Sequence, residues 1–147
     1  MKNYLVIGNP INHSLSPKLH NTWLKTNNIN AFYDKQKLEE NQIENFIQKI
    51  KQQKIAGANV TVPFKKKIIP FLDKLSFEAE KTQSVNTIVF QNNNLVGHNT
   101  DVIGFTRAIT DLDFNSVFLP TIFCVFAFIK NKIANYIFAC LCLGSFL

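Results

Sequence analysis

The chain has 147 residues, enough for one ordinary domain with a real core. Apolar residues make up 46% of it and the charges are mixed, which excludes an intrinsically disordered chain. The net charge is +6, but the lysines are scattered, with Lys65-Lys66-Lys67 as the one tight cluster. That is a basic surface, equally suited to an anionic small molecule, and no nucleic-acid partner is expected from it.

The opening MKNYLVIGNPINHS does not read as a secretion signal, because its apolar run at residues 4–7 falls short of the roughly 7–15 residues of a signal core. NYLVIG reads instead as a short buried strand ending at Gly8. SPKLHNTWLKTNN follows as a helix, with Ser16 as its cap, Pro17 as its first helical residue, and Leu19, Trp23 and Leu24 at helical spacing. NAFYDKQKL is a second strand. NQIENFIQKIKQQ is amphipathic: Ile43, Phe46, Ile47 and Ile50 share one face, and Asn41 is placed to cap it. AGANVTV is a third strand. Pro63 then opens a short helix to about Ile69, which Pro70 interrupts.

SFEAEKTQ is another short helix, and SVNTIVFQ and LVGH flank the turn signal NNN as a hairpin. TDVIGFTRAITDL closes this part as a helix. Strands separated by helices predict an α/β fold, a three-layer αβα domain whose sheet is mostly parallel and, through the hairpin, mixed.

From about residue 113 the composition changes. FNSVFLPTIFCVFAFIKNKIANYIFACLCLGSFL has no acidic residue and no clean amphipathic period. Its apolar runs, 117–129 and 133–147, are each shorter than the ~18–20 residues a membrane-crossing helix needs, so membrane association is not the favoured reading. The expectation is a domain at residues 1–112 and an unrelated-looking apolar tail at 113–147, from a shifted reading frame or a premature end, that promotes self-association. The three cysteines, Cys124, Cys140 and Cys142, all lie in that tail. An odd number without a secretion signal reads as reduced thiols of a cytoplasmic protein, and no Cys/His spacing suggests a metal.

Several residues carry chemical interest. Ser14 and Ser16 stand two apart at a helix entry, where hydroxyls, free N–H groups and the helix dipole suit a carboxylate. Spacing alone favours simple capping by Ser16. A lysine at the helix start after Pro63 faces the positive dipole end, and spacing does not choose among Lys65, Lys66 and Lys67. Asn99, Thr100 and Asp101 are alternative caps for the last helix. Thr61, Lys65, Asn86 and Asp101 all fall near the carboxyl ends of predicted strands, where open α/β sheets bind ligands. His13, His20 and His98 have no partner spacing and read as structural or surface residues.

Taken together and in order, GNPINHSLSPKLHN, GANVTVPFK, SVNTI and GHNTDVIGF resemble the N-terminal substrate-binding and catalytic domain of shikimate dehydrogenase, over about residues 1–112. The resemblance implies that Ser14 and Ser16 hold the substrate carboxylate and that Thr61 is a further contact. It implies that Lys65 is the catalytic lysine, leaving Lys66 and Lys67 solvated, that Asn86 and Asp101 bind ring hydroxyls, and that Asp101 pairs with Lys65. It implies a small-molecule ligand, shikimate or 3-dehydroshikimate, and a hydride exchange with NADPH on the route to chorismate and the aromatic amino acids. An ammonium beside the carbonyl stabilises the developing oxyanion and supplies a proton, and a carboxylate keeps that ammonium charged.

The glycines, Gly8, Gly57, Gly97, Gly104 and Gly144, contain no G-x-G, so no cofactor is expected to bind this chain alone. The expectation is a substrate-binding domain that does not turn over by itself. The alternatives are a non-catalytic shikimate-binding module with a separate nucleotide-binding partner, and a membrane-associated fragment.

Overall fold

The structure is a computed structural model and describes residues 1–110. The expected tail at 113–147, its cysteines and the boundary near 112 lie outside the described residues. The chain divides into the units Met1–Gly104 and Phe105–Leu147, and the sheet lies in the first. Among the described residues, no helix is long and apolar enough to cross a membrane.

The strands are β1 (Lys2–Gly8), β2 (Ala31–Lys37), β3 (Gly57–Val60), β4 (Lys74–Leu75), β5 (Thr87–Gln91) and β6 (Asn94–His98). They form one sheet in the order β2-β1-β3-β5-β6-β4. β5 runs antiparallel to both neighbours and the other pairings are parallel, so the mixed α/β sheet is as expected. The hairpin turn is Asn92-Asn93, both with positive φ (50° and 58°), the combination that joins strands without splaying them.

The helices are α1 (Ser16–Thr26), α2 (Ile43–Lys51), α3 (Phe64–Lys67), α4 (Phe77–Thr82) and α5 (Thr100–Thr110). β1 shows how they layer. Its side chains alternate, so Leu5 and Ile7 join one apolar cluster and Tyr4 and Val6 the other. The first cluster holds Ile43, Phe46, Ile47 and Ile50 of α2 together with Ala58, Val60, Phe64 and Ile88, and is the main core. Each buried Ile, Val or Phe side chain there contributes about 1.5–3 kcal/mol. The second cluster is small: Val6, Ile11 and Tyr33, with Tyr4 and Leu24 of α1 packed against it.

Several local expectations need correction. Ser16 does not cap α1 with its side chain: Leu15 holds the cap position, and the Ser16 N–H donates to the Ser14 hydroxyl. Leu19 and Trp23 are about half exposed, because α1 lies over the sheet edge and buries no residue fully. Asn41 does not cap α2. A 3-10 turn at Glu40–Gln42 precedes the helix, and Glu39 and Gln42 form its reciprocal capping box. β4 was not foreseen, since two residues carry no period.

Candidate active site at the carboxyl edge of the sheet

The carboxyl ends of β1, β3 and β6 open on one edge. The loop after β1 carries Ser14 and Ser16, the turn after β3 carries Thr61 and leads into α3 with Lys65, and β6 leads through Asn99 to Asp101 at the start of α5. Asn86 reaches the same edge by a different route from the expected one. It precedes β5, and because β5 runs backwards its amino end lies beside the carboxyl ends of the others.

Lys65 and Asp101 are brought into direct contact, with Nζ 2.6 Å from Oδ2. Lys65 is held from behind by its own carbonyl, which accepts from the Val85 N–H at 2.9 Å and so ties α3 to the segment entering β5. The hydrogen bond from Lys65 lowers the Asp101 pKa against the opposing effect of desolvation, and the Lys65 charge and the Asn86 amide lower it further. The carboxylate is therefore the settled form, paired to an ammonium at the cleft edge. The other two lysines separate: Lys66 is exposed, whereas Lys67, expected to be solvated, pairs with Glu40.

Asn86 is buried, 8% exposed, and its amide oxygen gathers three donors. Oδ1 accepts from the Thr100 N–H and hydroxyl and from the Thr87 hydroxyl, at 3.0–3.1 Å. Its main chain donates to His98 and accepts from Val60. Asn99, also buried, settles the open choice of cap. Its Oδ1 accepts from the Asp101 and Val102 N–H groups, and its Nδ2 donates to Thr82 at the end of α4.

Thr61 donates its N–H to Ile7 and accepts from the Phe64 N–H, which fixes the turn into α3. Ser14 and Ser16 bond to each other at 3.3 Å and are half-buried, but make no hydrogen bond with Lys65, Asp101 or Asn86. The serines thus form one side of the edge and the Lys65–Asp101–Asn86 group the other.

Two residues at this edge lie outside the expected set of site residues. Asn59 accepts from the Tyr33 hydroxyl at 2.6 Å and donates to Asn86 and Thr87. Tyr33 is 4% exposed, and burial pushes its hydroxyl up to about 12. A polar residue on the inward face of a strand was the available signal, and at Asn59 it was visible. His20, read as structural or surface, stacks on Tyr33 with ring centres 4.1 Å apart.

Gly8, Gly57 and Gly97 are packed against the chain, whereas Gly104 in α5 has open space beside it. A Cβ on Gly8 would meet Thr61 at 2.6 Å, one on Gly97 would meet Leu72 at 2.6 Å, and one on Gly57 would meet the Ile88 carbonyl at 3.1 Å. These glycines admit the protein's own chain, not a pyrophosphate. Among the described residues, no group of His, Cys, Asp or Glu could hold a metal ion.

A mixed α/β sheet with a lysine–carboxylate pair, a buried amide and two neighbouring serines along its carboxyl edge belongs to the open-sheet class, in which ligands bind outside the carboxyl ends of the strands. The family described as "Shikimate dehydrogenase substrate binding domain" matches residues 6–88. The chain belongs to the shikimate dehydrogenase family and corresponds to its N-terminal, substrate-binding part. It is 56% identical over 114 residues to the NADP(+) shikimate dehydrogenase of Pelagibacter ubique, covering 78% of this chain and 43% of that one. The Exiguobacterium sibiricum enzyme is 46% identical, over 72% of this chain and 41% of its own. Among solved structures, the Listeria monocytogenes shikimate 5-dehydrogenase in complex with shikimate and NAD superimposes with a TM-score of 0.72 at 33% identity, covering 76% of this chain and 38% of that one. The Aquifex aeolicus shikimate dehydrogenase gives 0.71 at 38% identity, covering 77% and 42%. The chain thus spans about two-fifths of the length of these relatives.

Proposed function

We propose that this chain binds shikimate or 3-dehydroshikimate at the carboxyl edge of its sheet, and supplies the substrate-binding and proton-transferring half of NADPH-dependent 3-dehydroshikimate reduction. The observation that carries the reading is the 2.6 Å contact between Lys65 and Asp101 beside the buried Asn86. The relatives' activity and the shikimate-bound Listeria structure support it.

In this reading Ser14 and Ser16 hold the ring carboxylate, with Thr61 as a further contact. Asn86 and Asp101 take the ring hydroxyls. Lys65 Nζ faces the carbonyl oxygen, stabilises the negative charge that develops there and delivers a proton to it; in the reverse direction it takes that proton back. Asp101 keeps the ammonium charged and oriented. A nicotinamide cofactor, when bound, supplies the hydride. The domain occupies residues 1–112, the cofactor is held by other residues, and the setting is the cytoplasm.

Titrating the purified chain with shikimate, by calorimetry and by amide NMR, tests the reading. Saturable binding that shifts resonances of Ser16, Thr61, Asn86 and Asp101 is expected. Absence of saturation up to the solubility limit, with the fold intact, would overturn it.

A further inference from the structure

We propose that Tyr33 is a positioning residue that holds the two sides of the candidate site in register. The proposal rests on the functional reading above for its meaning, and on geometry for its evidence.

The hydrogen bonds run from Tyr33 through Asn59, Thr87 and Asn86 to the start of α5, beside the lysine pair. The Tyr33 hydroxyl donates to Asn59 Oδ1 at 2.6 Å, and Asn59 Nδ2 donates to the Thr87 hydroxyl at 3.0 Å. That hydroxyl donates to Asn86 Oδ1 at 3.0 Å. Asn86 Oδ1 in turn accepts from the Thr100 N–H and hydroxyl, immediately before Asp101, whose carboxylate accepts from Lys65. The Asn59 amide accepts on one end and donates on the other, and Asn86 Oδ1 gathers three donors, so the orientation of each is set by its neighbours. Tyr33 begins the row as a hydroxyl with a single proton to give. Such rows strengthen cooperatively where water is excluded, and Tyr33 and Asn86 are both buried.

The same tyrosine anchors the serine side. The Asn21 side chain of α1 takes both main-chain groups of Tyr33: Nδ2 donates to its carbonyl at 2.7 Å and Oδ1 accepts from its N–H at 2.9 Å. His20 lies flat on the Tyr33 ring and bonds through Nδ1 to the carbonyl of Ser16 at 2.9 Å. α1 carries Ser16 as its first residue and buries none of its side chains fully, so these polar contacts with Tyr33 are a principal anchor of its position. Main chain and ring fix the serines; the hydroxyl fixes Asn86 and, through it, Asp101.

The test is Tyr33→Phe, which removes the hydroxyl and keeps the ring, the stack and the Asn21 clasp. Asn59→Ser breaks the row at its next member and serves as the second variant should the first fold poorly. Leu24→Ala is the control, since it loosens the same cluster without touching the row. The readouts are the Asp101 carboxyl midpoint by carbon-detected NMR, the Asn86 side-chain resonances, and shikimate affinity. Tyr33→Phe and Asn59→Ser are expected to raise the Asp101 midpoint, move the Asn86 resonances and weaken shikimate binding roughly tenfold, the worth of one such bond. Leu24→Ala should lower Tm and leave Asp101 in place. If neither row variant moves Asp101, or if Leu24→Ala moves it as far, the positioning role is overturned. If the row variants move Asp101 while the parent chain binds no shikimate, the positioning role stands and the functional reading falls.

Discussion

At Lys65 the chain offers three consecutive ammonium groups, and the fold separates them by partner: Lys65 to Asp101, Lys67 to Glu40, Lys66 to solvent. The Lys65 bond is the first cause of the lowered Asp101 pKa. A carboxyl lowered on folding stabilises the fold at pH above its unfolded value of about 3.9, and that contribution is lost as pH falls through the lower, folded value. Lys65→Ala should therefore raise the Asp101 midpoint toward the ordinary carboxylate range, which an NMR titration reads directly. The effect on stability at neutral pH should stay within about 1 kcal/mol, because the pair is partly exposed and screened. An unmoved midpoint would mean that the pair does not persist in solution. Spacing alone left Lys65, Lys66 and Lys67 equivalent, and only the resemblance separated them. Tyr33 carried no signal either, for a tyrosine in a strand is ordinary core material until its hydroxyl is seen to bond across the sheet to Asn59.

Among the elements, those with a strong apolar period were readable and those positioned by polar contacts were not. α2 buries the four residues its spacing singled out, Ile43, Phe46, Ile47 and Ile50. α1 has a comparable stripe in Leu19 and Trp23, yet both stay half exposed, because Asn21 and His20 dock that helix. Both expected caps failed: Leu15 holds the cap position of α1 in place of Ser16, and a 3-10 turn capped by Glu39, not Asn41, precedes α2. Two substitutions probe how the elements fix the site. Gly8→Ala would set a methyl 2.6 Å from Thr61 Cγ2 and 3.1 Å from the Val62 carbonyl. The overlap should cost about 1–3 kcal/mol and displace the Thr61 turn, read as a lower Tm and altered Thr61 resonances. Asn99→Ala removes the cap of α5 and orphans the link to Thr82, with an expected loss of about 1–2 kcal/mol. Denaturant unfolding checks the size, and a cost near zero would show that solvent replaces the cap.

For the molecule as a whole, the question is what a chain spanning two-fifths of its relatives can do. Its described part holds both sides of the candidate site, and at Gly8, Gly57 and Gly97 the space beside the backbone is filled by the protein's own atoms. Substrate recognition and reductant binding should therefore separate physically. Joining residues 1–110 to the portion of the Pelagibacter ubique enzyme that the chain does not match makes the separation measurable. The 147-residue chain should bind shikimate without oxidising NADPH in the presence of 3-dehydroshikimate, and the chimera should carry out that oxidation. Within the chimera, Lys65→Ala should lower kcat by roughly 10²–10⁴-fold, the usual worth of a positioned proton donor, while KM changes far less. Equal losses in kcat and in affinity would assign Lys65 to binding instead of chemistry. A folded chimera that binds shikimate and reduces nothing would place the missing requirement at the geometry between the two parts, and undisturbed turnover in Lys65→Ala would remove Lys65 from the reaction.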